Sequence, residues 1–381
     1  MKILAISGTR ADWGLLQPVL TRLRDDPRFM LEILITGQHL MPNNNSVQEI
    51  KTAGFNVDFR VDMLLMGGEN GSELCAGAGN VVAGVGTALM ESSPDLMLVL
   101  GDRYEILGAV TAALLCNVPV AHIAGGDLTE GAFDDAIRHA ITKMSSLHFT
   151  TTKEAAIRVL QMGESPAQVV VTGSPGIDQL LTIPIMERTS FFESLKLKRC
   201  NLNFIVTLHP ETLSNHNDCM ARAMLSALDS FPEVGLIFTG SNADPGAAEL
   251  DKIISDWVAK RTNAVFYRSL GSVRYFSALK HCDLVLGNSS SGLYEAASFD
   301  IPTVNIGDRQ ARRVRPRSVI DCPAESVAIC KAIKAALAHD WANTENPYGD
   351  GQAAARIVSF LATVANPATL IRKSFRDLSN D

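Results

Sequence analysis

The chain holds seven cysteines, at positions 75, 116, 200, 219, 282, 322 and 330, yet no C-x-x-C pair and no Cys/His spacing suited to zinc. Several sit in apolar runs, which reads as reduced core cysteines in a cytoplasmic protein. No G-x-G-x-x-G fingerprint follows the first strand, and no lone acidic residue ends the second. NAD-dependent chemistry is therefore disfavoured. The absence of a G-x-x-x-x-G-K-[ST] loop disfavours P-loop phosphoryl transfer, and there is no G-x-S-x-G nucleophile elbow. Repeats and low-complexity segments are missing too. No apolar run is expected to span a membrane; Leu74–Met90 comes nearest, but it is short, rich in small residues and followed by Glu91. The opening MKILAIS reads as a first strand rather than a signal peptide. A net charge of −7 over 381 residues argues against nucleic acid as a partner. It leaves an anionic small ligand open, because local arginines override the global sign.

What is present is alternation. Ile3–Ile6, Leu31–Thr36, Asp95–Leu100, Val118–Ile123 and Val169–Val171 read as buried strands, each closed by a small or polar residue. Helical patterns lie between them at Leu15–Leu23, Leu74–Met90, Ile106–Leu115 and Ala136–Met144. Gly77, Gly79, Gly84 and Gly86 fall in one of these, which suggests close helix packing. The order implies an α/β fold with parallel sheets covered on both faces. A polar, weakly patterned stretch near Ile183–Asn203 interrupts it. The alternation then restarts with strands at Phe204–Leu208, Val234–Thr239, Ala264–Tyr267, Asp283–Gly287 and Thr303–Ile306. The expectation is two Rossmann-like, doubly wound domains, 1–175 and 176–352, facing a cleft. The helical stretch Ala353–Leu361, within 353–381, is expected to pack back on the first.

Ligands of open parallel sheets bind beyond the carboxyl ends of the strands. Those ends are polar here: Ser7-Gly8-Thr9-Arg10 with Asp12, Thr36-Gly37-Gln38-His39, Gly101-Asp102-Arg103, and the acidic run His122–Lys143 with Asp127, Asp134, Asp135, Arg138 and His139. The second half adds His209-Pro210, Gly240–Asp244, Gly287–Gly292 and Gly307-Asp308-Arg309. In Gly287–Glu295 a strand meets a Ser/Gly turn and a helix start. Ser289, Ser290 and Ser291 would cap that helix and bond a diphosphate at its N-terminus, and Glu295 would accept the two hydroxyls of a ribose. A plain serine cap with a solvated glutamate is the competing reading; Arg309 on the next loop favours phosphate. For Arg10 and Arg103 an ordinary salt bridge competes, and Asp102 is a natural partner for Arg103. His209, after a strand and before proline, favours function over capping. His39 and His122 read as structural histidines, and Arg138 and His139 also suit ordinary inter-helix pairs.

In order, SGTRADWG, TGQHL, LGDRYEI, GGDLTEGAFDDAIRHAITKMSSLHF, HPETLS, GSNAD, GNSSSGLYE and NIGDRQARRVR resemble the UDP-N-acetylglucosamine 2-epimerases, specifically the hydrolysing branch on sialic-acid and legionaminic-acid routes. The resemblance covers nearly the whole chain. It implies a GT-B-type fold with the nucleotide held mainly by the second domain. It also implies elimination of UDP to a 2-acetamidoglucal, then hydration to N-acetylmannosamine. By motif match Asp102 and Asp134 are its catalytic acids or bases, and His209 stands at the leaving phosphate. Arg10, Ser289, Ser290, Glu295 and Arg309 match nucleotide contacts, Asn242 and Asp244 sit in the matching loop, and Arg103 and Arg138 are site arginines. Some members carry a glutamate at the third position of HIAGGD, where this chain has Ala124; Asp127 or a water then takes its role. The chemistry implied needs no cofactor and no metal, and the family suggests a homodimer or homotetramer. UDP-2,4-diacetamido-2,4,6-trideoxyglucose is the alternative substrate. A GT-B glycosyltransferase, a non-catalytic sugar-nucleotide sensor and a non-hydrolysing epimerase are the rival readings.

Overall fold

A computed structural model describes residues 1–41, 46–63, 71–128, 133–197, 200–210, 217–241, 247–311 and 313–377. The chain divides into two compact units. One comprises Met1–Gln179 with Tyr348–Asp381, the other Leu180–Pro347.

The first unit holds a seven-stranded parallel sheet. Its strands are β1 (Lys2–Ser7), β2 (Met30–Thr36), β3 (Phe59–Val61), β4 (Leu96–Leu100), β5 (Val120–Ile123), β6 (Leu147–Thr150) and β7 (Val169–Val171), in the order β3-β2-β1-β4-β5-β6-β7. The period of two explains its burial on both faces. Along β1, Ile3 and Ala5 join one core cluster with Leu16, Leu20 and Leu23 of the helix Arg10–Asp25. Leu4 and Ile6 join the other, with Val81, Val85, Ile106 and Val110. The helix Ala353–Leu361 seals the first cluster through Ala354, Ile357 and Leu361. Its first turn is capped from a distance, since both Asp178 carboxylate oxygens accept backbone N–H groups, from Ala353 at 2.9 Å and Ala354 at 2.7 Å.

The second unit holds β8 (Asn203–Thr207), β9 (Gly235–Thr239), β10 (Ala264–Tyr267), β11 (Leu284–Gly287), β12 (Thr303–Ile306) and β13 (Val319–Cys322), ordered β10-β9-β8-β11-β12-β13 and again all parallel. Both sheets therefore reverse direction of winding once, between β1 and β4 and between β8 and β11. Those switch points are where a doubly wound sheet opens a crevice.

The structure corrects several expectations. Strands β3, β6 and β13 carry no clear apolar run: β3 and β13 are short edges, and β6 is LHFT with a buried histidine. The stretch near Ile183–Asn203 is not a bare connector. Its helix Arg188–Ser194 buries Phe191 and Phe192 against the second sheet, because two adjacent aromatics supply an anchor without periodicity. The helical pattern at Leu74–Met90 extends to Gly71–Ser92, whose 22 residues make it long and apolar enough to cross a membrane by length and composition alone. Here its face of Val81, Val85 and Leu89 packs into the first unit's core. Its glycines serve close packing at Gly84, where a Cβ would stand 2.5 Å from Val61, but Gly79 and Gly86 face open space. All seven cysteines are free, as expected, yet only Cys282 and Cys322 are buried, and Cys75 and Cys219 are exposed.

Candidate active site

In the first unit the loops after β4 and β5 bring the acidic groups together. Arg138 is the hub. It lies on the helix Phe133–Met144, is 7% exposed, and ion-pairs with Asp102 through Nη2. Its Nη1 donates to the Asp127 carbonyl at 2.7 Å. One guanidinium fork thus fixes the strand ends of β4 and β5 against each other. The Asp127 carboxylate accepts the Thr151 hydroxyl at 2.8 and 3.0 Å. Asp134 stands at the start of the same helix. Its pKa is raised by burial and by the neighbouring Asp102, against the pull of Arg103 and Arg138. Asp135 is bound into the helix face, 3.6 Å from Arg138 and 3.5 Å from His139.

Local backbone explains why the sequence reads AGGD here. Gly126 has φ +82° and passes so close to the helix Lys153–Gln161 that a Cβ would lie 2.3 Å from the Ala155 carbonyl. Ala124 itself adopts φ +65°, a left-handed conformation costing an L-residue about 1 kcal/mol. Strain of that kind concentrates at functional turns. His122 braces the turn from below. It is fully buried, bonded to the Gly101 carbonyl at 2.7 Å, and burial lowers its pKa to about 3. His39 is likewise a clasp, set between Ser7 at 2.8 Å and Ser46 at 2.7 Å, with its pKa brought down by burial to about 4. Both histidines are structural, as their strand-end positions suggested.

At the β1/β4 switch point lies a second acidic group. Glu105 is fully buried and ion-paired with Arg103, which takes the arginine's charge in place of the expected Asp102. Asp12, in the first turn of Arg10–Asp25, has a buried Oδ2 with no hydrogen-bond partner. Burial raises its pKa to about 6, and Glu105 and Asp102 add to that rise against Arg103. Sequence reasoning noted Asp12 and passed Glu105 by. The signal for both was their position one turn beyond a strand end. Arg10 is not brought to this group; it is mostly exposed and pairs with Glu49 at 2.8 Å.

In the second unit the β8/β11 switch point is tied by Asn288. Its side chain accepts the His209 N–H at 2.7 Å and donates to the His209 carbonyl at 2.9 Å. The Asn288 carbonyl in turn accepts Gln310 at 2.9 Å and Arg309 at 3.4 Å. His209 is 5% exposed. Gly287 makes the closeness possible: at φ +133°, a Cβ there would stand 1.8 Å from the Thr207 carbonyl. The helix expected after it is a single turn, Ser291–Tyr294, followed by a 3-10 turn, Ala296–Phe299. The helix end expected to meet a diphosphate is thus one turn long, with correspondingly little aligned dipole. Ser290 occupies the cap position without a side-chain cap bond, while the Ser289 hydroxyl accepts the Ser291 N–H at 3.4 Å. Nor is Glu295 a solvated side chain. Burial raises its pKa against a hydrogen bond from Ser291, and its Oε2 is buried without a partner. Asn242 and Asp244 lie outside the described residues. Among the described residues, no group of three His, Cys, Asp or Glu is placed to hold a metal ion.

Comparison with known proteins gives this geometry its context. The family model for UDP-N-acetylglucosamine 2-epimerase matches residues 21–362. The chain belongs to that family. It is 34% identical, over 84% of each protein, to a GDP/UDP-N,N'-diacetylbacillosamine 2-epimerase (hydrolyzing) of Campylobacter jejuni. It is 37% identical, over 87% of its own length and 85% of the relative's, to the polysialic acid biosynthesis protein P7 of Escherichia coli. The crystal structure of UDP-GlcNAc 2-epimerase from Neisseria meningitidis bound to UDP-GlcNAc shares the fold, with a TM-score of 0.75 at 22% identity over 95% of this chain and all of the other. The α/β, GT-B-type fold implied by the resemblance is thus the fold of this epimerase, and the Campylobacter relative is a hydrolysing enzyme by name.

Proposed function

We propose that this epimerase hydrolyses UDP-N-acetylglucosamine to N-acetylmannosamine and UDP. The observation that carries the reading is the pairing of unlike carboxylates in the first unit. Asp102 is ion-paired to Arg138, whereas Asp134 beside it has its proton affinity raised. Two acids held in different environments suit a reaction that needs one proton taken and one delivered. In the first step a carboxylate removes the C2 proton, the C1–C2 double bond forms, and UDP departs with the C1–oxygen electron pair. In the second, a carboxylate takes a proton from water as its oxygen bonds to C1, an acid delivers a proton to C2 on the face opposite the one first deprotonated, and the freed 2-epimer leaves.

Asp102 and Asp134 take the acid and base roles, with Asp127 available three residues beyond Ala124. Arg138 holds Asp102 by its ion pair, and Arg103, bound to Glu105, supplies positive charge near Asp134. In the second unit, His209 with Arg309, Ser289 and Ser290 would meet the diphosphate, and the unpartnered Glu295 Oε2 suits a ribose hydroxyl. Arg10, Asn242 and Asp244 remain nucleotide contacts in this proposal by motif match alone.

The test is turnover in heavy water. Deuterium at C2 of released N-acetylmannosamine is the expected result, and unlabelled product would sink the mechanism. The same chemistry on UDP-2,4-diacetamido-2,4,6-trideoxyglucose is the second reading, favoured by the likeness to the GDP/UDP-N,N'-diacetylbacillosamine 2-epimerase of Campylobacter jejuni. Product analysis with the two UDP-sugars side by side separates them.

A further inference from the structure

Glu295 is the end of a hydrogen-bonded chain that begins on another element. Tyr275 lies on the helix Gly271–His281, and its hydroxyl donates to Ser291 Oγ at 2.6 Å. Ser291, having accepted that hydrogen, turns its own toward the Glu295 carboxylate. Directions along the chain are fixed. Burial and the nearby Glu295 push the Tyr275 pKa well up, so the phenol keeps its proton and acts as donor. A hydroxyl that accepts from a phenol is a better donor in turn, because successive bonds polarise one another. The chain runs tyrosine to serine to carboxylate and stops at Glu295 Oε2, which is buried with no partner. In its ionised form that oxygen can only accept. A buried carboxylate oxygen without a donor costs free energy unless a ligand supplies one.

We propose that Tyr275 is a positioning residue which, through Ser291, aims Glu295 Oε2 at a hydroxyl of the bound nucleotide's ribose, so that the site selects ribonucleotides over deoxyribonucleotides. This rests on the reading of Glu295 as the ribose acceptor. It adds a residue on a separate helix and a specificity that follows from it.

The experiment measures dissociation constants of UDP, 2′-deoxy-UDP and 3′-deoxy-UDP by calorimetry on the whole protein. Wild type, Tyr275→Phe, Ser291→Ala, the double variant and Glu295→Gln are compared. Wild type should prefer UDP over at least one deoxy analogue by about tenfold or more. Tyr275→Phe should weaken UDP several-fold and leave that analogue nearly unchanged. Ser291→Ala should do the same, and the double variant should lose no more than either alone, since both act through one chain. Equal weakening of all three nucleotides by Tyr275→Phe would make the tyrosine merely structural and overturn the proposal. Additive losses in the double variant would also overturn it. If wild type shows no preference among the nucleotides, the ribose reading itself fails. If wild type discriminates and Glu295→Gln abolishes this while Tyr275→Phe does not, the ribose reading stands and the relay alone fails.

Discussion

Single carboxylates in this protein are set apart by what lies next to them. Asp102→Asn or Asp134→Asn should each lower kcat by orders of magnitude while leaving the UDP dissociation constant roughly intact, and a matched loss in UDP affinity would recast them as structural. Asp127→Asn decides how the Ala124 position is compensated; survival of activity means that water or another group does the work. Asp12 offers a different measurement. Its pKa of about 6 exceeds the ordinary value of 3.8, so the folded state binds more protons than the unfolded one between those limits. Stability is therefore lost as pH rises through that window, and the full cost remains above it. Asp12→Asn should raise the melting temperature at pH 8 by a few degrees, about 1 kcal/mol, and the gain should vanish near pH 4. A constant difference across pH would show that the Asp12 charge is not the cause.

Elements set those neighbours, and here sequence and structure part company instructively. The β1, β4, β5 and β11 runs were legible because they are apolar, short and closed by glycine or a small polar residue. The candidate site loops were legible because they gather ionisable residues at strand ends, where an apolar core asks for few. What escaped was held by tertiary contact alone. β6 hides a polar residue, since His148 within it is bonded to Glu164 at 3.0 Å, and Glu164 also meets Lys143 and Lys373 at 2.8 Å. Phe191 and Phe192 sit in a helix too short to show a period. Gly287 is held in a tight approach to the Thr207 backbone, which no local pattern announces. That approach gives an element-scale prediction: Gly287→Ala should cost more than about 3 kcal/mol, seen as a collapse in melting temperature or soluble yield, because backbone must move to admit the Cβ. The Glu164 cluster gives another. Hydrogen bonds from His148 and the two lysines hold the carboxyl down to about 2 against the opposing effect of burial, so its stabilisation is present above the ordinary value of 4.5 and is lost as pH falls toward 2. Glu164→Gln should cost about 3 kcal/mol at pH 7, leaving lysines unpaired, and the gap from wild type should narrow on acidification.

On the scale of the molecule, the chain leaves its first unit after Gln179 and returns at Tyr348. The returning helix Ala353–Leu361 covers the apolar face of Arg10–Asp25. Deleting residues 353–381 should leave Leu16, Leu20 and Leu23 open to solvent, lowering soluble yield and raising binding of a hydrophobic dye; unchanged values would make the helix an ornament. The return also dictates an order of events on the ribosome. The second unit's sequence is continuous and is in hand before the first unit's last helix has been translated. At ordinary rates of synthesis the first sheet then waits on the order of 10 s with one face unsealed. Newly made chains are vulnerable to chaperone capture or misassociation during that interval. Their window of risk lies in the half that carries Asp102 and Asp134, although that half is the first to emerge.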